Sequence, residues 1–184
     1  MQNSYLQSIG KQFQYYKSLG DQTFNQLTDD NLFWSPDSEV NSIAIIAKHM
    51  VGNMLSRWTN FTTEDGEKSW RNRDDEFVNT YRNKSDIITS WEKGWSCLFN
   101  ALNSIDESQL EELIYIRNQG HTITEAINRQ LSHYSYHVGQ VVLIGKMIKK
   151  EHWKSLSIPK NASLSYNKEK FDLEKGKRHF TEDL

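Results

Sequence analysis

Two histidines with helical spacing are the residues of this sequence best suited to chemistry. His133 and His137 stand four positions apart within Gln130–Gln140. On an α-helix, residues at i and i+4 project from the same face, one turn apart. Neutral imidazole nitrogens are good ligands for zinc, nickel and iron, and two ligands on one rigid helix lose little entropy when they bind. The spacing predicts that this pair chelates one divalent metal ion.

A third ligand has to come from another segment, and His49 is the natural candidate. It lies among apolar residues in Ile45–Asn53, whereas His152 and His179 come after the last long apolar pattern. Three facial histidines leave coordination positions for water or a substrate, which is typical of a catalytic zinc site rather than a closed structural one. A metal there would lower the pKa of a coordinated water or thiol.

The same histidines have a less specific interpretation. A histidine pair at i and i+4 arises often by chance, and a buried histidine that hydrogen-bonds to a neighbour is commoner than a metal ligand. The pair also lacks the glutamate of the His-Glu-x-x-His motif, which disfavours a metalloprotease with its general base on the same helix. The alternative is that the histidines fill a polar pocket in the core or hold a structural metal.

Three amide side chains are spaced to orient the imidazoles or to contact a substrate. Asn53 lies one turn beyond the first histidine, while Gln130 and Gln140 lie three positions before and three positions after the histidine pair. Groups that hydrogen-bond to a ligating imidazole fix its orientation. The alternative is that these amides only form the polar end of a buried stripe.

Two arginines and one cysteine complete the candidates. Arg57, two turns beyond the first histidine, and Arg73 would recognise a carboxylate on a thiol cofactor. The alternative is a solvated arginine or one that pairs across a dimer. Cys97 lies among apolar residues and is predicted to behave as a small core hydrophobe rather than as a nucleophile.

Four amphipathic segments are available to position these side chains. Apolar residues recur every three to four positions in residues 5–27, 40–61, 85–104 and 122–150. Thr122 and Glu125 match a capping box at the start of the last segment. Pro36 and Pro159 are the only prolines, so the chain between them lacks the strongest helix breaker. The pattern predicts an all-α protein, a four-helix bundle with one long connection.

The segments between these helices have weaker signals. Residues 29–38 are predicted to form a loop, and residues 68–82, which are charged and aromatic, an ordered loop. The short apolar run in residues 110–120 fits either a strand or an extended connector. Residues 1–160 are expected to form the bundle domain, and residues 161–184 a polar tail.

Composition excludes several functional classes. The formal net charge is −2, so no strong basic field exists to bind nucleic acid. The mean hydropathy is −0.75, and the longest apolar runs are far shorter than the roughly 20 residues of a membrane span. The first residues do not match a signal peptide, and a single cysteine agrees with a reducing compartment. A cytoplasmic protein that binds neither nucleic acid nor membranes is expected.

The histidine pattern resembles the DinB/YfiT-like superfamily, which includes bacillithiol- and mycothiol-dependent transferases. The matching residues are the lone histidine of the second helical segment and the histidine pair followed by Val138–Gln140. The resemblance covers about residues 1–160. It is greatest to an uncharacterised subfamily, through the strings Trp70–Asp74, Glu125–Gln130 and Trp153–Pro159.

The resemblance implies a four-helix bundle, a divalent metal held by His49, His133 and His137, and frequent homodimers. It does not fix a reaction, because a shared fold does not imply a shared function. Two hypotheses result. In the first, the protein acts on a small-molecule substrate, by transfer of a low-molecular-weight thiol to an electrophile or by metal-assisted hydrolysis. In the second, it is a non-catalytic helical homodimer that associates through the aromatic loop Trp70–Phe77.

Overall fold

The protein is predominantly helical in the computed structural model, which describes residues 4–183. The α-helices are α1 (Ser4–Gln26), α2 (Asp29–Phe33), α3 (Ile43–Trp58), α4 (Lys84–Asn103), α5 (Ile123–Lys149) and α6 (Ser163–Phe171). The strands β1 (Leu113–Ile116) and β2 (Gln119–Thr122) form one antiparallel hairpin. Short 3₁₀ turns occupy Asp74–Phe77, Glu107–Gln109, Lys150–His152 and Phe180–Asp183.

The two helices that carry the candidate ligands begin at local capping signals. At the start of α3, the Ser42 hydroxyl accepts a hydrogen bond from the Ile45 N–H at 3.3 Å. At the start of α5, Thr122 accepts from the Glu125 N–H at 3.1 Å, and the Glu125 carboxylate accepts from the Thr122 N–H at 2.9 Å. This reciprocal pair is the predicted capping box. It sets the residue at which α5 begins, and the start of the helix helps to determine which residues of α5 face the core.

Helices α1, α3, α4 and α5 surround one core. Helix α3 packs mainly against α4, and α1 packs mainly against α5. Phe13, Met54, Trp95 and Tyr134, one from each helix, are fully buried at 0% exposure. The rings of Phe13, Trp95 and Tyr134 contact one another with centroids 5.9–6.4 Å apart. The four predicted apolar stripes therefore meet in one interior.

Two connecting segments are more regular than the sequence predicts. Residues 29–38 are not entirely a loop, because Asp29–Phe33 forms the short helix α2 and buries Leu32 completely. This prediction was wrong because the segment begins with charged residues and its single helical turn buries only one apolar residue, too few to give a periodic pattern. In residues 110–120, the strand alternative is correct, since this segment forms β1 and part of β2.

The Asp65 carboxylate helps to attach the hairpin to the segment that follows α3. Its turn residues Arg117 and Asn118 both have positive φ angles, 55° and 59°, as a two-residue type I′ turn requires. The Asp65 carboxylate accepts hydrogen bonds from both of their backbone N–H groups at 2.8 Å. Asp65 therefore holds the hairpin against the segment that follows α3.

The segment between α3 and α4 folds back over α3. It contains the 3₁₀ turn Asp74–Phe77, as expected of an ordered loop. The Lys48 ammonium on α3 donates hydrogen bonds to the backbone carbonyls of Asp75 and Val78, both at 2.7 Å. These two bonds fix the turn beside the first candidate metal ligand.

The C-terminal residues lie on the surface of the core. Helix α6 contains no buried residue, while the Phe180 ring contacts Tyr15 of α1 at a centroid distance of 5.8 Å. A separate tail over residues 161–184 stays a prediction. Among residues 4–183, every helix is too short or too polar to cross a membrane.

Candidate metal centre

The three predicted ligands converge between α3 and α5. The Nε2 atom of His133 lies 3.4 Å from Nε2 of His49 and 3.1 Å from Nε2 of His137. One ligand nitrogen from each residue lies within 4.8 Å of the other two. His49 is buried at 6% exposure, and the two α5 histidines are half-buried. The three residues can therefore hold one metal ion.

The spacing of the nitrogens tests whether an ion fits. Two nitrogens that each lie about 2.1 Å from one ion, at angles of about 90–110°, are about 3.0–3.4 Å apart. The separations of 3.1 and 3.4 Å within the cluster agree with this range. The residues present thus fit a divalent cation that accepts nitrogen ligands.

Hydrogen bonds on the other side of two rings leave their Nε2 atoms free to ligate. Nδ1 of His49 lies 2.9 Å from Oε2 of Glu76, and Nδ1 of His137 lies 2.8 Å from Oε1 of Gln140. Both oxygens are acceptors, so each Nδ1 carries a proton, and in the neutral ring Nε2 then keeps its lone pair. A single proton on Nε2 of His133 could be donated to only one of the two neighbouring Nε2 atoms, that of His49 or that of His137. A cation would accept the lone pairs of all three Nε2 atoms.

Burial keeps the α5 histidines in the form that binds metals. It lowers the pKa of His133 to about 3, with help from the neighbouring His137 and His49 and from Arg57 and Arg71. Burial also lowers the pKa of His137, although its hydrogen bond to Gln140 acts in the opposite direction. Both rings are therefore neutral at neutral pH, as metal ligation requires.

Glu76 is a site residue that the sequence reasoning did not identify. Its carboxylate is 5% exposed and accepts two hydrogen bonds from the Arg71 guanidinium, at 2.7 and 3.0 Å, in addition to its contact with His49. Burial raises the pKa of this carboxyl, but the hydrogen bonds to His49 and Arg71 outweigh burial and lower it overall. An ionised carboxylate behind His49 raises the basicity of that ligand.

The amides predicted by spacing have different surroundings. Gln140 contacts the ring of His137, as described above. Asn53 accepts a hydrogen bond from the Tyr134 hydroxyl at 3.0 Å, and that hydroxyl accepts from Trp58 Nε1 at 3.3 Å. Gln130 is buried at 3% exposure, and its Oε1 atom has no hydrogen-bond partner. Of the three amides, Gln140 is the one hydrogen-bonded to a candidate ligand.

The two arginines and the cysteine contact residues other than the three histidines. Arg57 is 6% exposed and donates to the Gly66 carbonyl and to Glu67. The guanidinium of Arg73 lies 5.1 Å above the ring of Phe77. Cys97 is half-buried, and its sulfur lies 3.6 Å from the hydroxyl of Thr59.

Phe77 contributes an aromatic wall to the cluster. Its ring stacks on that of His49 with a centroid distance of 5.2 Å and an interplanar angle of 27°. Glu76 and Phe77 belong to the same 3₁₀ turn, so one short turn supplies both the hydrogen-bond acceptor and the stacking partner of this ligand.

The fold and the site define a predominantly helical protein with a cluster of three histidines at which one metal ion fits. The family model described as "Protein of unknown function (DUF1572)" matches residues 1–162. The chain therefore belongs to this family. Searches of curated proteins and of solved structures gave no match.

Proposed function

We propose that this protein is a metal-dependent enzyme that transfers a low-molecular-weight thiol to a small electrophilic substrate. The observation that carries the proposal is the convergence of the Nε2 atoms of His49, His133 and His137, with the Nδ1 atoms of two of these rings held by acceptors. A cluster of this kind provides three imidazole nitrogens as ligands and leaves the remaining coordination positions for a substrate.

His49, His133 and His137 would hold the cation, and the nitrogen donor set suits zinc, nickel or iron. When bound, such a cation lowers the pKa of a thiol or water beside it. Glu76 keeps His49 oriented and its Nδ1 protonated, and Gln140 does the same for His137. Phe77 stacks on one face of the buried His49 ring.

Thiol transfer is favoured over hydrolysis by the hydrogen bonding of Glu76. It is the one carboxylate among residues 4–183 that hydrogen-bonds to a histidine of the cluster, and it is already engaged by Arg71 and His49. Hydrolysis of an ester or amide whose leaving group must be protonated would need a free general acid at this site. A thiolate is a good nucleophile without such help. A carbon–sulfur bond forms, the leaving group departs with the electron pair of its bond to carbon, and the thiol proton goes to solvent.

The resemblance to the DinB/YfiT-like superfamily supports the same proposal, since transferases that use bacillithiol or mycothiol belong to it. We interpret α1, α3, α4 and α5 as the four-helix bundle of that superfamily. A homodimer and a cytoplasmic location, which were expected from the sequence, stay predictions.

Metal retention is the first test. Protein loaded with zinc or nickel and then dialysed should keep about one ion per chain. His137→Ala should lose it, because two ligands remain. His152→Ala is the matched control, since the His152 side chain is 78% exposed and lies outside the cluster. Equal metal retention by His137→Ala and the unchanged protein would contradict the site.

Turnover is the second test. The metal-loaded protein is mixed with cysteine, glutathione or bacillithiol and with 1-chloro-2,4-dinitrobenzene, and the thioether is followed by absorbance. We expect metal-dependent turnover that His49→Ala abolishes and His152→Ala preserves. A protein that binds metal but accelerates no thiol transfer would support the alternative of a structural metal in a non-catalytic protein.

A further inference from the structure

A groove begins one helical turn away from the histidine cluster. It lies between α3, α5 and the loop before α3, and its volume is about 420 Å³. Six apolar residues line it: Pro36, Val40, Ile46, Leu143, Ile144 and Met147. Cavities of about 300–1,000 Å³ with mainly apolar walls are typical of small-molecule sites.

The groove and the histidine cluster share one residue. Gln140 lines the groove, and its Oε1 atom is the hydrogen-bond acceptor of His137. Two groove residues lie about one helical turn from ligands of the cluster. Gln140 follows His137 by three residues on α5, and Ile46 precedes His49 by three residues on α3. The groove is therefore a continuation of the space between the two ligand-bearing helices.

The walls of the groove combine buried and exposed apolar side chains. Ile46 and Ile144 form its floor at 4% and 5% exposure, whereas Val40, Leu143 and Met147 are 43%, 59% and 48% exposed. Exposed apolar side chains gathered around a cavity mark a binding surface more often than single ones do. Glu39 also lines the groove and disfavours an anionic ligand there.

We propose that this groove binds an uncharged, apolar portion of the substrate whose reacting group lies at the three histidines. The inference rests on the proposed function and adds a substrate class to it: electrophiles with an alkyl or aryl tail. Leu143 follows His137 by six residues, a rise of about 9 Å along α5. The alkyl chain of octanohydroxamate spans this distance.

The experiment uses two hydroxamates that share a metal-binding head and differ in tail length. Binding of acetohydroxamate and of octanohydroxamate to the cobalt-loaded protein is followed by the visible absorption of cobalt, which does not depend on turnover. Each methylene that leaves water should raise the affinity about fourfold. Octanohydroxamate has six more methylenes than acetohydroxamate, and if only two of them leave water it should bind at least about tenfold more tightly.

The double variant Leu143→Gln/Met147→Gln removes the apolar wall. Both side chains are about half exposed, and glutamine has nearly the helix propensity of leucine and methionine, so the fold should be retained. The variant should lower the affinity ratio of the two hydroxamates by at least about threefold while leaving acetohydroxamate binding unchanged. Leu113→Gln is the matched control, because Leu113 is 60% exposed and lies on β1.

The possible results separate this inference from the proposed function. Equal affinities for the two hydroxamates, or an affinity ratio that survives in the double variant, would overturn the groove alone. A ratio that falls as protein concentration rises would mean that a second copy of the chain covers the groove, and would also overturn it. Failure of both hydroxamates to bind the cobalt-loaded protein would mean that the ion has no coordination position open to a substrate, and would overturn the proposed function and the groove with it.

Discussion

The carboxylate of Glu76 packs against α3 at Gly52, in the space that a larger side chain would fill. A Cβ atom at position 52 would lie only 2.7 Å from Cδ of Glu76 and still closer to its Oε1 atom. Gly52 follows His49 by three residues, so the missing side chain leaves a gap beside this ligand, and the carboxylate occupies it. The contact between Glu76 and His49 Nδ1 thus depends on a glycine one turn away.

Substitution of Gly52 by alanine should weaken metal binding. The new methyl group would displace Glu76, which Arg71 and His49 hold in place, and would separate it from Nδ1. Loss of such a partner typically lowers metal affinity about 10–100-fold. Affinity for zinc is measured by competition with a chromophoric chelator.

Gly10→Ala is the control for this experiment. Gly10 is also helical, but no atom lies within 4 Å of a Cβ placed there. Alanine at position 10 should leave metal affinity unchanged and stabilise the protein by about 0.5–1 kcal/mol. Equal zinc affinities of the two alanine variants would show that Glu76 does not act through the gap at position 52.

Glu76→Gln tests the charge of the carboxylate separately from its position. Glutamine can still accept a hydrogen bond from His49, but it carries no negative charge to strengthen that ring as a ligand. It also leaves the positive charge of Arg71 without the Glu76 carboxylate as a partner. Metal affinity should fall by about 10-fold or more. Glu111→Gln, at an exposed position, should not change it. An undiminished zinc affinity in Glu76→Gln would contradict a role for the charge.

The histidine cluster was predictable because two of its members lie on one helix. The spacing of His133 and His137 is visible in the sequence, and the third ligand follows from its apolar surroundings on α3. Glu76 was not predictable in this way. It belongs to a charged run, Asp74–Glu76, without helical periodicity, and it is 27 residues from its partner. Its only signal is the nearby Arg71, and that pattern is common on protein surfaces.

The short elements were harder to predict for a related reason. Helix α2 is one turn long and has a single fully buried residue, Leu32, so no periodicity can form. The hairpin turn has arginine and asparagine rather than asparagine and glycine at its positive-φ positions. Its stability depends on Asp65, more than 50 residues earlier in the chain. Contacts of this kind are set by tertiary structure.

Tyr134→Phe should destabilise the protein without affecting the metal. Its hydroxyl connects Asn53 and Trp58, and its removal leaves a buried acceptor and a buried donor unpaired. The free energy of unfolding should fall by about 1–3 kcal/mol. Tyr115→Phe is the control, since Tyr115 is 51% exposed, and should stay within about 0.5 kcal/mol. Urea denaturation measures the free energy of unfolding of both variants. A Tyr134→Phe variant as stable as the unchanged protein would contradict a stabilising role of these two hydrogen bonds.

Glu67 should make the stability of the metal-free protein depend on acid pH. One oxygen of its carboxylate contacts Arg57, Arg71 and Arg117 at 3.0, 3.3 and 3.1 Å, and Arg71 connects it in turn to Glu76. Burial raises the pKa of Glu67, but the hydrogen bond from Arg57 and the three positive charges outweigh burial and lower the pKa below its ordinary value of 4.5.

A carboxyl whose pKa is lowered by folding stabilises the folded state above its unfolded pKa, and that contribution disappears as the pH falls through the folded pKa. Glu67→Gln should therefore be less stable than the unchanged protein at pH 6, and the difference should shrink below pH 4.5. Urea midpoints at pH 6, 4 and 3 measure this, with Glu111→Gln as the exposed control. A stability difference that is the same at all three pH values would mean that the ionised form of Glu67 does not stabilise the folded protein through its contacts with Arg57, Arg71 and Arg117.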